Sequence, residues 1–186
     1  IEGRFRALGA AVIAPSADPT LAVQHAVASA FGAMHADATT ARALVLLGAA
    51  ARSARVRGGL ADAVASLRVG DTARPGDTAK PGDLDPLSFE FGPLPELPSE
   101  AGLRALTELD QGEEWLVEPQ PLDEEGLLWS PGVRLGVSHG SPFWDDARGL
   151  PLVGVTSAQL LSDAIAQQNA PGSGGVAGLQ SWDEHE

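Results

Sequence analysis

The chain has 186 residues, 44% of them hydrophobic and 20% charged, with a formal net charge of −13; this suits one globular domain with a sizeable core. It has no cysteine, which excludes disulfides, thiolate metal sites and thiol nucleophiles. Residues 1–80 hold nine Lys/Arg and six Asp/Glu, while residues 81–186 hold three and nineteen, an acidity that opposes nucleic-acid phosphates and anionic membranes.

The first four residues, Ile1-Glu2-Gly3-Arg4, match a common engineered protease-cleavage sequence and are set outside fold reasoning as a possible remnant. Residues 10–14, Ala-Ala-Val-Ile-Ala, predict a short buried strand that stops at Pro15. Asp18-Pro19 predicts a helix start, running to about Met34 with Leu21, Val23, Ala26, Val27, Ala30 and Phe31 on its apolar side. The apolar run 43–48 fits a strand buried on both faces of a parallel sheet. A basic amphipathic helix is expected from about Ala51 to Leu67, weakened at Gly58-Gly59.

A tandem hexapeptide follows, Gly70-Asp-Thr-Ala-Arg-Pro75 then Gly76-Asp-Thr-Ala-Lys-Pro81. Two copies are too few for a solenoid, so a flexible loop over residues 70–98 enlarged by duplication is expected. Ser99 is the predicted cap of a helix to about Leu109. Short strands are expected at Trp115–Val117, Val133–Val137 and Leu152–Val155. Ser157 is then expected to cap a helix to about Gln168, with Leu160, Leu161, Ala164 and Ile165 inward, before a small-residue strand over Gly174–Leu179. Alternating strands and helices predict an α/β fold with a mostly parallel open sheet flanked by helices. No apolar run is long enough to span a bilayer and no signal-peptide pattern opens the chain, so a cytoplasmic location is expected.

Four patterns invite a chemical reading. Gly136-Val-Ser138-His139-Gly140 matches the spacing of a nucleophile elbow, but Ser141-Pro142-Phe143-Trp144 is not the long helix that motif needs, so a turn is expected. Gly172-Ser-Gly174-Gly-Val-Ala177 has the spacing of a dinucleotide fingerprint with the helix before the strand instead of after it. The pairs Glu113-Glu114, Asp123-Glu124-Glu125 and Asp145-Asp146 read as solvated surface, and the scattered histidines give no metal-ligand spacing, so no metal is expected. The four tryptophans read as core or edge packing, since no basic residues interleave with them to make a stacking platform.

In segment order the chain resembles the catalytic domain of the aldehyde dehydrogenase superfamily, most of all the pyrroline-5-carboxylate dehydrogenase region of bacterial, especially actinobacterial, proline utilization A proteins. The stretches that carry the likeness include Val27–Gly32, Ala63–Gly70, Gly92-Pro93, Glu114–Pro119, Leu128–Arg134, Gln168-Asn169-Ala170 and Ala177-Gly178-Leu179. They are collinear over about residues 10–183, leaving 1–9 as remnant or family lead-in and 184–186 as a tail.

The resemblance implies a mechanism in which a cysteine thiolate attacks an aldehyde, hydride passes to NAD, and a glutamate assists hydrolysis. This sequence departs from it. The nucleophile's register falls on Ala38, with Thr39 and Thr40 as weak substitutes lacking an evident base. The upstream glutamate falls at Arg4 or Ala7, with Glu2 reachable by a register shift. The segment whose glutamate holds a cofactor ribose corresponds to Ala147-Arg148-Gly149-Leu150-Pro151, of which Pro151 alone matches. Asn169 matches a family asparagine. Neither the preceding dinucleotide-binding domain nor the final oligomerising strands of the family are expected within these residues. The expectation is a non-catalytic aldehyde dehydrogenase-like domain, with no cofactor of its own, that packs against a catalytic aldehyde dehydrogenase domain or a second copy. The alternatives are a fragment or altered copy of an NAD-dependent pyrroline-5-carboxylate dehydrogenase of proline catabolism, and a decayed product with no role.

Overall fold

The computed structural model describes residues 9–31, 41–69, 92–169 and 177–183. Its strands are β1 (Gly9–Ile13), β2 (Ala41–Leu47), β3 (Glu114–Val117), β4 (Gly132–Leu135), β5 (Leu152–Ala158) and β6 (Ala177–Gln180). Its helices are α1 (Pro19–Phe31), α2 (Ala54–Ala65), α3 (Glu100–Thr107), α4 (Phe143–Asp146) and α5 (Leu161–Asn169). The strands form one six-stranded sheet in the order β3-β4-β5-β2-β1-β6. Only β3 runs antiparallel to its neighbour. The mostly parallel, helix-flanked sheet expected from the sequence is what the chain forms.

Alternation along each strand divides the core. Leu44 and Leu46 of β2 face α1 and α2, packing with Ile13, Val23, Val27, Phe31, Val56 and Leu60. Val45 and Leu47 face the other side, where Val12, Ala158 and Ala164 meet them under α5. A further cluster around Trp129, Phe143, Leu150 and Leu152 packs beneath α3 and α4. Gly154 lies under this last cluster because a Cβ there would sit 2.5 Å from the Phe143 ring and 2.6 Å from that of Trp144.

The helix starts follow cap chemistry. An Asp18 carboxylate oxygen accepts from Leu21 N–H at 2.8 Å, and Ser99 Oγ accepts from Gly102 N–H at 3.1 Å, as its position predicts. The basic helix starts later than expected. Gly48–Arg52 makes a 3-10 turn, and Ser53 caps α2 by accepting from Val56 N–H. Gly58 and Gly59 lie inside α2 without ending it.

Two expectations for the last helix fail. Ser157 does not cap it, because β5 continues through Ala158 with Ser157 paired to Leu46. The helix starts at Leu161, where the Asp163 carboxylate accepts from Leu160 N–H. Leu160 and Ile165 are consequently exposed; Ala164 faces the sheet. The duplicated hexapeptides, residues 70–81, lie outside the described residues. In the last part of the expected loop, Leu94 is buried and its N–H donates to Leu127 O at 2.8 Å.

Glu113 is not the solvated residue its sequence context suggests. Its carboxylate is 2.9 Å from Arg134 Nη1, and both side chains are buried. Arg134 Nη2 also donates to Ala105 O and Glu108 O, binding the end of α3 to β4. The guanidinium lies 4.9 Å from the Trp115 ring centre and 4.6 Å from that of Phe143, so a basic residue does meet a tryptophan here. Burial holds Arg134 below its usual pKa, partly offset by Glu113. The other acids bind locally: Asp123 accepts from Gly126, Leu127 and Leu128 N–H, Asp145 pairs with Arg148 and Asp146 with Arg104. Trp129 is buried, whereas Trp182 is 76% exposed and is not packed as expected.

Removing one member of a buried ion pair strands the other charge. Arg134→Leu is expected to cost about 3–5 kcal/mol in urea-denaturation stability, and Arg134→Leu with Glu113→Leu is expected to lose less than Arg134→Leu alone. Equal losses would mean that Glu113 adds no coupling.

Candidate functional site

The parallel sheet decides where the chemically suggestive loops arrive. Strands β2 and β5 are neighbours in register, Ala43 opposite Gly154. The two strands therefore begin at the same end of the sheet, β2 at Ala41 and β5 at Leu152. Ala38, Thr39 and Thr40 themselves lie outside the described residues, as do Glu2, Arg4 and Ala7. Among the described residues, the starts of β2 and β5 form one lip of the sheet.

Arg42 joins the two strand entries there. It is buried, and its Nη1 donates to Leu150 O at 2.5 Å and reaches Leu152 O at 3.5 Å, on either side of Pro151. Its Nε has no hydrogen-bond partner, and no carboxylate among the described residues pairs with it. Burial pushes its pKa down to about 10, so it is still charged at neutral pH. A buried cation satisfied by carbonyls is a costly fastening. It fixes the entry of β5 to the entry of β2.

The remaining predicted residues separate. Pro151 is fully buried, and its carbonyl accepts from Gly132 N–H at 2.8 Å. Ala147 ends the turn of α4, its N–H donating to Phe143 O, and its methyl is buried with Leu94, Ala105, Leu106 and Leu150. Nothing in the local sequence marks that burial, since Asp146 and Arg148 flank the position with charge. Asn169 is the last residue of α5.

The elbow-like Gly136–Gly140 segment forms a turn. Gly136 adopts φ +77°, and a Cβ there would lie 2.6 Å from Gly112 O. The Ser138 carbonyl accepts from the Trp144 indole at 2.8 Å and from Ser141 N–H, and the helix that follows has only four residues. The fingerprint-like segment lies outside the described residues up to Ala177, which opens a strand with α5 before it. Among the described residues no group of three His, Asp or Glu could hold a metal.

A cleft that sequence reasoning missed lies over the sheet between α4 and α5. It is floored by Ala10, Ala43 and Val45 and edged by His139, Trp144, Thr156 and Gln167. It offers water about 30 Å³, room for roughly two molecules.

No protein-family model matches this sequence, and no curated protein sequence does. Solved structures do. Proline utilization A (PutA) from Corynebacterium freiburgense is 37% identical with a TM-score of 0.81, the match covering 96% of this chain and 17% of that one. A point mutant of 1-pyrroline-5-carboxylate dehydrogenase from Thermus thermophilus is 19% identical, TM-score 0.70, over 96% of this chain and 32% of that one. An NAD-dependent benzaldehyde dehydrogenase from Corynebacterium glutamicum is 22% identical, TM-score 0.73, over 95% and 35%. The last two likenesses show the fold. This chain thus spans between 17% and 35% of the length of these relatives.

The buried setting of Ala147 can be tested. Ala147→Glu would desolvate a carboxylate among leucines. It is expected to lower stability by about 2–4 kcal/mol, read from the urea midpoint at neutral pH. An unchanged midpoint would show that a carboxylate there reaches solvent.

Proposed function

We propose that this chain, a relative of the aldehyde dehydrogenases with the fold of their catalytic domain, serves as a non-catalytic domain that packs against a partner. One observation carries the reading: no cysteine stands anywhere in the sequence, and Ala38 occupies the register where the resemblance puts the thiolate. A methyl group has no electron pair with which to attack a carbonyl carbon. The Thr39 and Thr40 hydroxyls would each need a positioned base to act in its place.

The cofactor register supports the same reading. The family's nicotinamide dinucleotide is held through a ribose by a carboxylate at the position of Ala147. Here that position holds a methyl group facing an apolar cluster. The residues present do not fit the ribose, and no hydride step is assigned to them. The apolar layers on both faces of the sheet are kept, which suits a scaffold whose role is to bind. A catalytic aldehyde dehydrogenase domain or a second copy is the partner of this proposal, in the cytoplasm.

A second reading is favoured by the 37% identity to a proline utilization A protein. On it, the chain is a fragment or altered copy of an NAD-dependent pyrroline-5-carboxylate dehydrogenase, and the longer protein oxidises glutamate semialdehyde. An NADH-production assay with pyrroline-5-carboxylate and NAD separates the two. The 186-residue chain, and any longer product of its gene, is expected to make no NADH above the buffer rate. Turnover that disappears in Thr39→Ala or Thr40→Ala would overturn the alanine-loop argument. The same preparation is expected to melt in one cooperative transition by near-ultraviolet circular dichroism. A broad, featureless melt would instead mark a decayed product without fixed packing.

A further inference from the structure

We draw no further inference here: the strongest candidate, the cleft between the end of α3 and α4 edged by Arg104, Glu108, Asp110, Arg134 and Asp146, carries nothing because its two arginines are already paired with Asp146 and Glu113, Glu108 and Asp110 are exposed acids, and nothing in the structure shows what fills it.

Discussion

Strand β2 is paired along both edges and buried on both faces, and the rest of the molecule is placed by it. Its alternate residues feed two separate apolar layers, Leu44 and Leu46 to one, Val45 and Leu47 to the other. A one-residue slip would exchange every one of these contacts, so the register to β1 and β5 is strongly determined. The single ionised side chain buried in this strand is Arg42, near its start. Its charge is held by the carbonyls around Pro151, which makes the entry of β5 depend on the entry of β2.

Because β1, β2, β4, β5 and β6 are parallel, they begin at one end of the sheet whatever residues they carry. Geometry and chemistry are therefore separable here. The strands and their apolar layers form the expected sheet, and on the proposed reading the residues beside them carry methyl groups at Ala38 and Ala147. Fold is set by burial over many residues, whereas chemistry rests on a few side chains. Ala147 shows the asymmetry well: its burial among Leu94, Leu106 and Leu150 now contributes to the core, so a carboxylate could not return there without removing apolar contact.

What was legible in the sequence was what local chemistry decides. The continuous apolar run of β2, the Asp18 and Ser99 caps and the Gly136 turn are each set by a few adjacent residues, and each is found where expected. What was not legible depended on partners far along the chain. Ser157 looks like a cap, yet Leu46 claims it for the sheet. Glu113 looks like its exposed neighbour Glu114, and only the fold brings Arg134 to it. Leu160 and Ile165 fit a helical stripe read one turn too early, because β5 ran on past the predicted boundary. Of the site, the substitutions could be read by resemblance, but the buried surroundings of Ala147 and the reach of Arg42 could not, since both come from residues more than a hundred positions apart or from a different helix.

The two edges of the sheet bring this argument to the surface. An open strand that is not meant to pair is ordinarily guarded by charge, proline or a bulge. The chain places Glu114 in β3 and Glu118 directly after it, and no acid between Ala177 and Trp182. Yet acidic residues are abundant throughout this half of the sequence. A neutral edge there is a departure from the composition around it, not a consequence of it. Leu179 lies half-exposed on one face and Leu21 with Trp182 on the other. The two edges of the described sheet thus differ in local charge, with Glu114 in β3 and none from Ala177 to Trp182, although Asp183 follows directly.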